Sequence, residues 1–283
     1  MLIRGYDTQL YLTPFLDNLG LDNEDVSGVV AWMMECFEKG LVKKDELDGI
    51  DLTWGNLEAI CRIVKKIAYR EGIGDILADG LKFAARRMGR EAEKYAMTSK
   101  GVAITSYEPR GSLKDAIQLA VIPFGELHGA RGAPVRVAFD SLTACAFGLF
   151  EPPWAPDLEQ VFGSVESWAI DMINAACDWE LNKKEWDIMI RRIVMLERCY
   201  CLREGYVPRE HDTLPNRFFD EVIYNKYGQP RKLNRDDFVN EITQWYKSLG
   251  LGEDGLPKKV TLQELGLEFV ISDIEKAGRL TLM

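Results

Sequence analysis

The sequence predicts a mostly α-helical protein with two helical domains. Apolar residues recur at helical spacing along nearly the whole chain, whereas alternating strand patterns are scarce. Of the 283 residues, 47% are hydrophobic and 28% are charged, proportions typical of a globular protein rather than of a disordered or disulfide-rich one. Glycine, proline and threonine interrupt the helical periodicity between Ser99 and Arg110. We therefore predict two domains, residues 1–99 and residues 100–283.

Three helices are predicted in the first domain, each with an apolar stripe at helical spacing and a glycine just beyond its end. They cover about residues 24–39, 57–68 and 75–88. Asp22 or Asn23 is the expected N-cap of the first helix, because a side-chain oxygen there can accept a bond from a free backbone N–H.

Four helices are predicted in the second domain from their start signals. Ser164, Asn182 and Asn234 are the expected N-caps of three of them. Pro215 suits the first turn of the fourth, where its missing N–H is no loss. Residues 102–107 form the one fair strand candidate.

Charge and composition exclude several classes of function. With 35 basic and 45 acidic residues, the formal net charge of −10 opposes non-specific binding to nucleic acid. No apolar run approaches the roughly 20 residues of a membrane helix, and the N-terminus does not resemble a signal peptide. We expect a cytoplasmic protein whose six cysteines are reduced thiols. Two histidines are too few for a histidine-rich metal site.

The segment from Asp17 to Asp22 is the first candidate ligand site. Paired aspartates around Gly20 suit a turn that holds a ligand rich in N–H donors. The alternative is purely structural: Gly20 ends one helix and Asp22 caps the next.

Two later segments carry further candidate groups. Asp140 and Cys145 repeat the spacing of the first segment, although a cysteine in an apolar context is commonly a small core residue. His128 lies in a glycine-rich loop with Arg131 and Arg136, where it could act as a general acid or base near an anionic ligand. The alternative for His128 is an ordinary surface histidine.

Three other residues are interpreted as structural. His211 is expected in a turn that precedes a helix. Cys199 and Cys201 are two residues apart near a helix end and face different directions, so we expect core or surface thiols rather than ligands of one metal.

Nine segments, in chain order, resemble the C-terminal half of the aldehyde ferredoxin oxidoreductase family of tungsten enzymes. They are GYDT (5–8), DNLGLD (17–22), REGIGDILADGLKFAA (70–85), KGVAITSYEPRG (100–111), LHGARG (127–132), DSLTAC (140–145), LERCYCLREGY (196–206), HDTLPNRF (211–218) and QELGLEF (263–269). The resemblance implies two helical domains like the family's middle and C-terminal domains, which clasp a bis-pterin cofactor containing tungsten or molybdenum. A β-rich N-terminal domain, expected before residue 1 or on a partner chain, would supply the rest of the site.

The resemblance also implies roles for particular residues. The cofactor-binding residues would be Asp17, Gly20, Leu21 and Asp22 of the first pterin motif and Asp140 and Ala144 of the second. In the second motif, Thr143 and Ala144 replace the family's Gly and Leu.

The remaining implied residues lie at the metal centres. Cys145 would be the fourth ligand of a [4Fe–4S] cluster, which ordinarily takes four thiolates; the other three would precede residue 1. Asp7 matches a glutamate close to the family's metal, and His128 matches its active-site histidine; both would handle protons.

The activity implied by the resemblance is oxidation of an aldehyde to a carboxylic acid, with electrons passed through the cluster to ferredoxin in an anaerobic host. Without the N-terminal domain we expect no activity, and we expect the exposed apolar faces to favour a partner chain or a homo-oligomer. Two other functions stay open. One is a non-catalytic helical binding or assembly protein, or a truncated remnant; the other is a subunit of an aromatic acyl-CoA reductase-type tungsten enzyme.

Overall fold

Helices form nearly all of the regular structure. A computed structural model describes residues 1–89, 91–104, 108–123, 134–144 and 165–281. The described residues form two compact units that interleave along the chain. Unit 1 contains residues 1–89, 91–104, 108–120 and 213–235, and unit 2 contains residues 121–123, 134–144, 165–212 and 236–281. The single boundary expected between residues 99 and 100 stays a prediction about the domains.

Unit 1 contains the N-terminal helices and two short hairpins. Its helices are α1 (Tyr6–Asn18), α2 (Asn23–Glu38), α3 (Leu57–Tyr69), α4 (Ile73–Leu77), α5 (Leu81–Met88), most of α6 (Leu113–Val121) and α11 (Arg217–Asp220). Its strands are β1 (Thr98–Ser99) paired antiparallel with β2 (Val102–Ala103), and β3 (Ile223–Tyr224) paired antiparallel with β4 (Pro230–Arg231).

The core of unit 1 forms around α2 and α3, as their apolar stripes predict. Met33 and Met34 of α2 and Ile63 of α3 are fully buried within it. Asp22 caps α2 by accepting a hydrogen bond of 2.8 Å from the backbone N–H of Asp25. The predicted helices at 24–39 and 57–68 are therefore confirmed to within one residue at each end.

The helix predicted over residues 75–88 is wrong as one continuous element. The chain instead forms α4 and α5, separated by a break in which Gly80 has a φ of 82°. Asp79 in this break binds Arg70 at 3.0 Å and Arg87 at 2.6 Å. Because apolar residues continue on both sides of the break, periodicity alone does not reveal it.

Unit 2 is built on one long helix. Its helices are α7 (Pro134–Ser141), α8 (Val165–Cys177), α9 (Lys183–Arg203), α10 (Pro208–His211), α12 (Arg235–Leu249, of which residue 235 belongs to unit 1), α13 (Lys259–Glu264) and α14 (Glu268–Lys276). Asn182 and Glu185 form a reciprocal capping box at the start of α9, which confirms the predicted start. Trp186 and Ile190 of α9 pack with Phe139 of α7 in the core.

The helix start predicted at Pro215 differs from the structure, and two other predictions fall partly or wholly outside the described residues. Pro215 is not in the first turn of a helix: α11 begins two residues later and has only four residues, because the chain turns extended at Glu221. The strand predicted at 102–107 is confirmed only as β2, since residues 105–107 lie outside the described residues. Ser164 is also outside them, although α8 begins at the next position.

None of the helices within residues 1–89, 91–104, 108–123, 134–144 and 165–281 is both long enough and apolar enough to cross a bilayer.

Candidate functional site

The first aspartate segment forms a tight turn at the end of α1. Leu19 N–H donates to Leu16 O at 3.0 Å, Gly20 N–H to Asp17 O at 3.0 Å, and Leu21 N–H to Leu16 O at 3.1 Å. Gly20 has a φ of 69°, the left-handed conformation that glycine adopts without strain. This is the hydrogen-bond pattern of a Schellman helix end, and it satisfies carbonyls that the helix leaves free.

The second aspartate segment forms the same turn at the end of α7. Leu142 N–H donates to Phe139 O at 3.0 Å, Thr143 N–H to Asp140 O at 3.1 Å, and Ala144 N–H to Phe139 O at 2.9 Å. Thr143 has a φ of 60°, close to that of its counterpart in the first turn. The replacement of Gly and Leu by Thr143 and Ala144 therefore leaves the backbone of the turn intact.

The matching backbones restrict what each turn can offer to a ligand. The N–H groups of Gly20, Leu21, Thr143 and Ala144 all donate within the turns. The side chains of Leu21 and Ala144 are half-buried and pack against the cores of their respective units. The backbone therefore offers a ligand its carbonyl acceptors, and the aspartates that begin each turn add carboxylate acceptors.

Asp17 lies where the helix dipole disfavours a negative charge. It is in the last turn of α1, which contains no basic residue. Asp140 has the equivalent position in the last turn of α7. The negative end of a helix dipole repels a carboxylate there. Asp17 is exposed. A carboxylate in a locally unfavourable position is a candidate for ligand binding.

Asp22 has a structural role and retains capacity for a second one. Its Oδ1 accepts the capping hydrogen bond from the backbone N–H of Asp25, as expected if Asp22 caps α2. The side chain is exposed, and a carboxylate offers about four acceptor positions. Capping α2 therefore does not exclude an additional N–H donor at Asp22.

Asp7 lies apart from this turn. It is exposed in the first turn of α1, where the helix dipole favours a carboxylate. At 1.5 Å of rise per residue, it lies about 15 Å along α1 from Asp17. The structure does not bring these two carboxylates together, and the role of Asp7 near a metal stays a prediction. His128 and Cys145 lie outside the described residues.

The described cysteines do not form a metal site. Burial raises the pKa of both Cys36 and Cys199 to about 12, so these thiols stay protonated near neutral pH and are inert. Within the described ranges, no three His, Cys, Asp or Glu side chains are grouped as metal ligands. These residues therefore do not fit a [4Fe–4S] cluster by themselves.

The acceptor-lined turns do fit a pterin. A pterin ring presents N–H groups. The exposed carboxylates of Asp17 and Asp22, which have no donor of their own when ionised, can accept hydrogen bonds from such groups.

The residues interpreted as structural from the sequence lie within the described residues. His211 lies at the end of α10, where its Nδ1 accepts a hydrogen bond of 2.9 Å from Val207 N–H. Cys199 is a buried core thiol.

Sequence reasoning missed a buried polar cluster in unit 2. Arg198 makes a forked ion pair with Asp212, at 3.1 and 2.6 Å, and both are almost completely buried. Tyr206 and Tyr246 donate their hydroxyls to the two oxygens of Asp212, at 2.5 Å each. The available signal was an arginine on the buried stripe of α9, since buried charges require partners.

Fold and turns together define a protein of two helix-rich units, each with an aspartate-led helix end. The family model described as "Aldehyde ferredoxin oxidoreductase, domains 2 & 3" matches residues 1–138 and 130–267. The chain therefore belongs to the aldehyde ferredoxin oxidoreductase family and corresponds to its domains 2 and 3. The family and the mostly helical fold expected from the sequence are both confirmed.

Curated relatives agree with this assignment. The chain is 31% identical to the tungsten-containing aldehyde ferredoxin oxidoreductase of Pyrococcus furiosus over 276 residues, covering 89% of this chain and 44% of the relative. It is 30% identical to the aliphatic sulfonate oxidoreductase, WOR-like subunit, of the same organism over 279 residues, with coverage of 91% and 42%. The chain thus spans less than half the length of these relatives.

A solved structure shares the fold. The active site complex BamBC of benzoyl coenzyme A reductase, solved with 1,5-dienoyl-CoA, includes a chain that matches with a TM-score of 0.69 and 20% identity. The match covers 98% of this chain and 48% of the other. At this identity the likeness establishes the fold and nothing further.

Proposed function

We propose that this chain is the cofactor-clasping C-terminal portion of an oxidoreductase that converts aldehydes to carboxylic acids. It would act with a β-rich N-terminal domain, on the same or a separate chain, that completes the site. The observation that carries the proposal is the repeated turn: Asp17 and Asp140 each begin a helix end with the same three backbone hydrogen bonds. Relatives at about 30% identity that are named tungsten-containing enzymes support it.

In this proposal the protein's part is binding and orientation. Asp17, Asp22 and Asp140 accept hydrogen bonds from N–H groups of a bis-pterin containing tungsten or molybdenum. Gly20 and Thr143 hold the turns in the left-handed conformation that places these acceptors. When bound, the cofactor supplies the two-electron redox change that aldehyde oxidation requires.

The proton balance assigns roles to two further residues. An aldehyde and one water become a carboxylic acid, two protons and two electrons. The imidazole of His128 and the carboxylate of Asp7 would accept the protons. The electrons would leave singly through a [4Fe–4S] cluster to ferredoxin. Cys145 would be one cluster ligand, and three cysteines of the N-terminal domain would be the others.

A reconstitution experiment tests the proposal. The chain is co-expressed anaerobically with any N-terminal domain encoded beside it, and tungsten, molybdenum, iron and released pterin are measured per chain. Reversing both charges, Asp17→Lys with Asp22→Lys, should abolish pterin retention while the helices stay folded. Because Asp22→Lys also removes the N-cap of α2, at a cost of about 1 kcal/mol, circular dichroism checks that the helices are intact. The matched control is Glu38→Lys with Asp45→Lys, which are exposed residues of unit 1 outside the turns.

The outcomes separate the alternatives. Bound metal and pterin together with aldehyde-dependent reduction of ferredoxin would support the proposal. Holoenzyme that reduces an aromatic acyl-CoA instead would identify the reductase-type subunit. A well-folded complex without tungsten, molybdenum or iron would refute the enzymatic function and leave a binding or assembly protein. Pterin retained at parental level in the double charge reversal would remove the first turn from the site.

A further inference from the structure

Unit 1 contains a cavity that the proposed cofactor residues do not line. Its volume is 260 Å³, and one wall is a single face of α2, formed by Ser27, Gly28, Ala31, Trp32 and Glu35. An apolar cavity of about 150 Å³ is enough to hold benzene. The cavity is partly open to solvent, and its space is sufficient for a small ring system.

Aromatic and apolar side chains dominate the remaining wall. Trp54 and Tyr95 face the cavity together with Trp32, and Met97 and Ile104 contribute apolar surface. The indole N–H of Trp32 donates to Ala92 O at 2.9 Å, so this residue offers its ring rather than a donor. Such a wall favours a flat aromatic occupant, because aromatic pairs gain stabilisation beyond their buried area.

Small residues on α2 keep the cavity open. Gly28 in the middle of the helix is less favourable for the helix than alanine would be. Ala31, one turn further along, also lines the space. Larger side chains at these positions would project from the same helix face and fill the cavity.

Glu35 supplies the polar character of the cavity. Arg217 holds its carboxylate in a fork, with distances of 3.0 and 3.1 Å, and Lys39 lies 3.9 Å away. Each carboxylate oxygen still has a second lone pair after one bond to the guanidinium. Arg217 also pairs with Glu221, at 2.9 Å, so its positive charge is shared between two carboxylates. Glu35 can therefore accept from a neutral donor, while a ligand carboxylate would face a like charge.

We infer that this cavity binds a small neutral aromatic molecule that donates one N–H or O–H bond to Glu35. The inference is independent of the pterin cofactor, because none of the described residues that line the cavity is one proposed to hold the cofactor. It also does not require the N-terminal domain to be catalytically active. Its failure would therefore leave the proposed function standing, and the reverse also holds.

Two matched probes test the inference on the full chain. 5-Fluoroindole carries the N–H donor, and 5-fluoro-1-methylindole lacks it. Binding is followed by the ¹⁹F resonance of each probe during titration with protein. Saturable binding of 5-fluoroindole is expected, with an affinity about tenfold higher than that of the methylated probe, since only the unmethylated probe can donate a hydrogen bond to Glu35.

A filled variant locates the binding site. Ala31→Leu should abolish 5-fluoroindole binding, whereas Ala176→Leu, an exposed position on α8, should bind like the parent. Circular dichroism of both variants shows whether they are folded, and the comparison of the two probes on the parent chain does not depend on either variant. Absence of saturable binding at millimolar probe, equal affinity for both probes, or unchanged binding in a folded Ala31→Leu chain would each overturn the inference.

Discussion

Gly20 and Thr143 occupy equivalent positions in two helix-ending turns, with φ values of 69° and 60° and the same three backbone hydrogen bonds around them. One position has the residue that the left-handed conformation favours, and the other has a β-branched residue that it disfavours. The second turn is therefore maintained by its hydrogen bonds despite the local backbone preference. This suggests that the geometry of the turn is itself needed.

Thr143→Gly should stabilise the chain. Relief of about 1–2 kcal/mol of left-handed strain is partly offset by the greater freedom of glycine in the unfolded chain, leaving a net gain of about 0.5–1 kcal/mol. Gly20→Ala should destabilise it by about 1 kcal/mol through φ alone, because no atom lies within 4 Å of the added Cβ. Thermal unfolding measures both. Thr13→Gly, on an exposed position inside α1, serves as the control and should destabilise; a destabilised Thr143→Gly chain would contradict the argument.

The aspartate turns also show what the sequence was able to predict. The spacing of Asp17, Gly20 and Asp22 predicted both a helix end and a cap, and both are present. The sequence could not show that Thr143 adopts the conformation of glycine, because threonine rarely does so and tertiary context decides. The break at Gly80 was missed for a similar reason: an isolated glycine is compatible with a continuous helix until its φ is known.

The partners in long-range ion pairs could not be identified from the sequence, even where a buried arginine such as Arg198 indicates that a partner exists. Arg198 and Asp212 are 14 positions apart, and Glu35 and Arg217 are 182 positions apart. No periodicity links such residues, so only the folded chain reveals the pairs. The missing part of the candidate site has another cause, since His128 and Cys145 fall outside the described residues.

The first two turns of α1 should promote association of the isolated chain. Tyr6 and Leu10 are 83% and 69% exposed, and Leu2 just before the helix is 68% exposed. An exposed apolar patch of this kind favours a partner surface or a second copy of the chain. Leu10→Glu together with Tyr6→Glu should shift the chain toward monomer in sedimentation velocity and reduce binding of a hydrophobic dye.

The same assay contains its own control. Val260→Glu removes a side chain of similar exposure from α13 in unit 2 and should leave the sedimentation profile unchanged. A parent chain that sediments as a monomer and binds no dye would refute the expected role of the α1 patch.

The buried thiols should make stability depend on alkaline pH. Burial raises the pKa of Cys36 and of Cys199 from the usual value of 9.0 to about 12. Between these values the unfolded chain loses protons that the folded chain retains. The associated stability is therefore complete below pH 9 and is lost as the pH rises toward 12. Cys199→Ala should flatten this decline in the unfolding temperature, although the shortened side chain lowers stability at every pH.

An exposed thiol provides the comparison for this pH dependence. Cys177 is exposed at the end of α8, and Cys177→Ala controls for the replacement of a cysteine outside the core. Identical slopes for the parent and Cys199→Ala between pH 9 and 12 would contradict the linkage.

The cluster around Arg198 should be the most sensitive polar feature of unit 2. Asp212→Asn removes the charge that balances a buried guanidinium and weakens the acceptor of two tyrosine hydroxyls. Breaking a buried pair in this way costs about 3–5 kcal/mol, because the remaining charge stays buried without compensation. Glu204→Gln, which breaks the exposed pair with Arg203, should cost less than about 1 kcal/mol.

Replacing both partners distinguishes loss of the pair from loss of packing. Arg198→Met with Asp212→Asn removes the unbalanced charge and should recover part of the stability lost in Asp212→Asn alone, because an apolar replacement of a buried ion pair is often tolerated. Urea unfolding of the parent, the single variants and the double variant forms a complete cycle. If the losses in the free energy of unfolding of the two single variants add up to the loss of the double variant, Arg198 and Asp212 do not stabilise unit 2 as a pair. The forked ion pair would then result from the packing of the surrounding side chains and would not itself stabilise that packing.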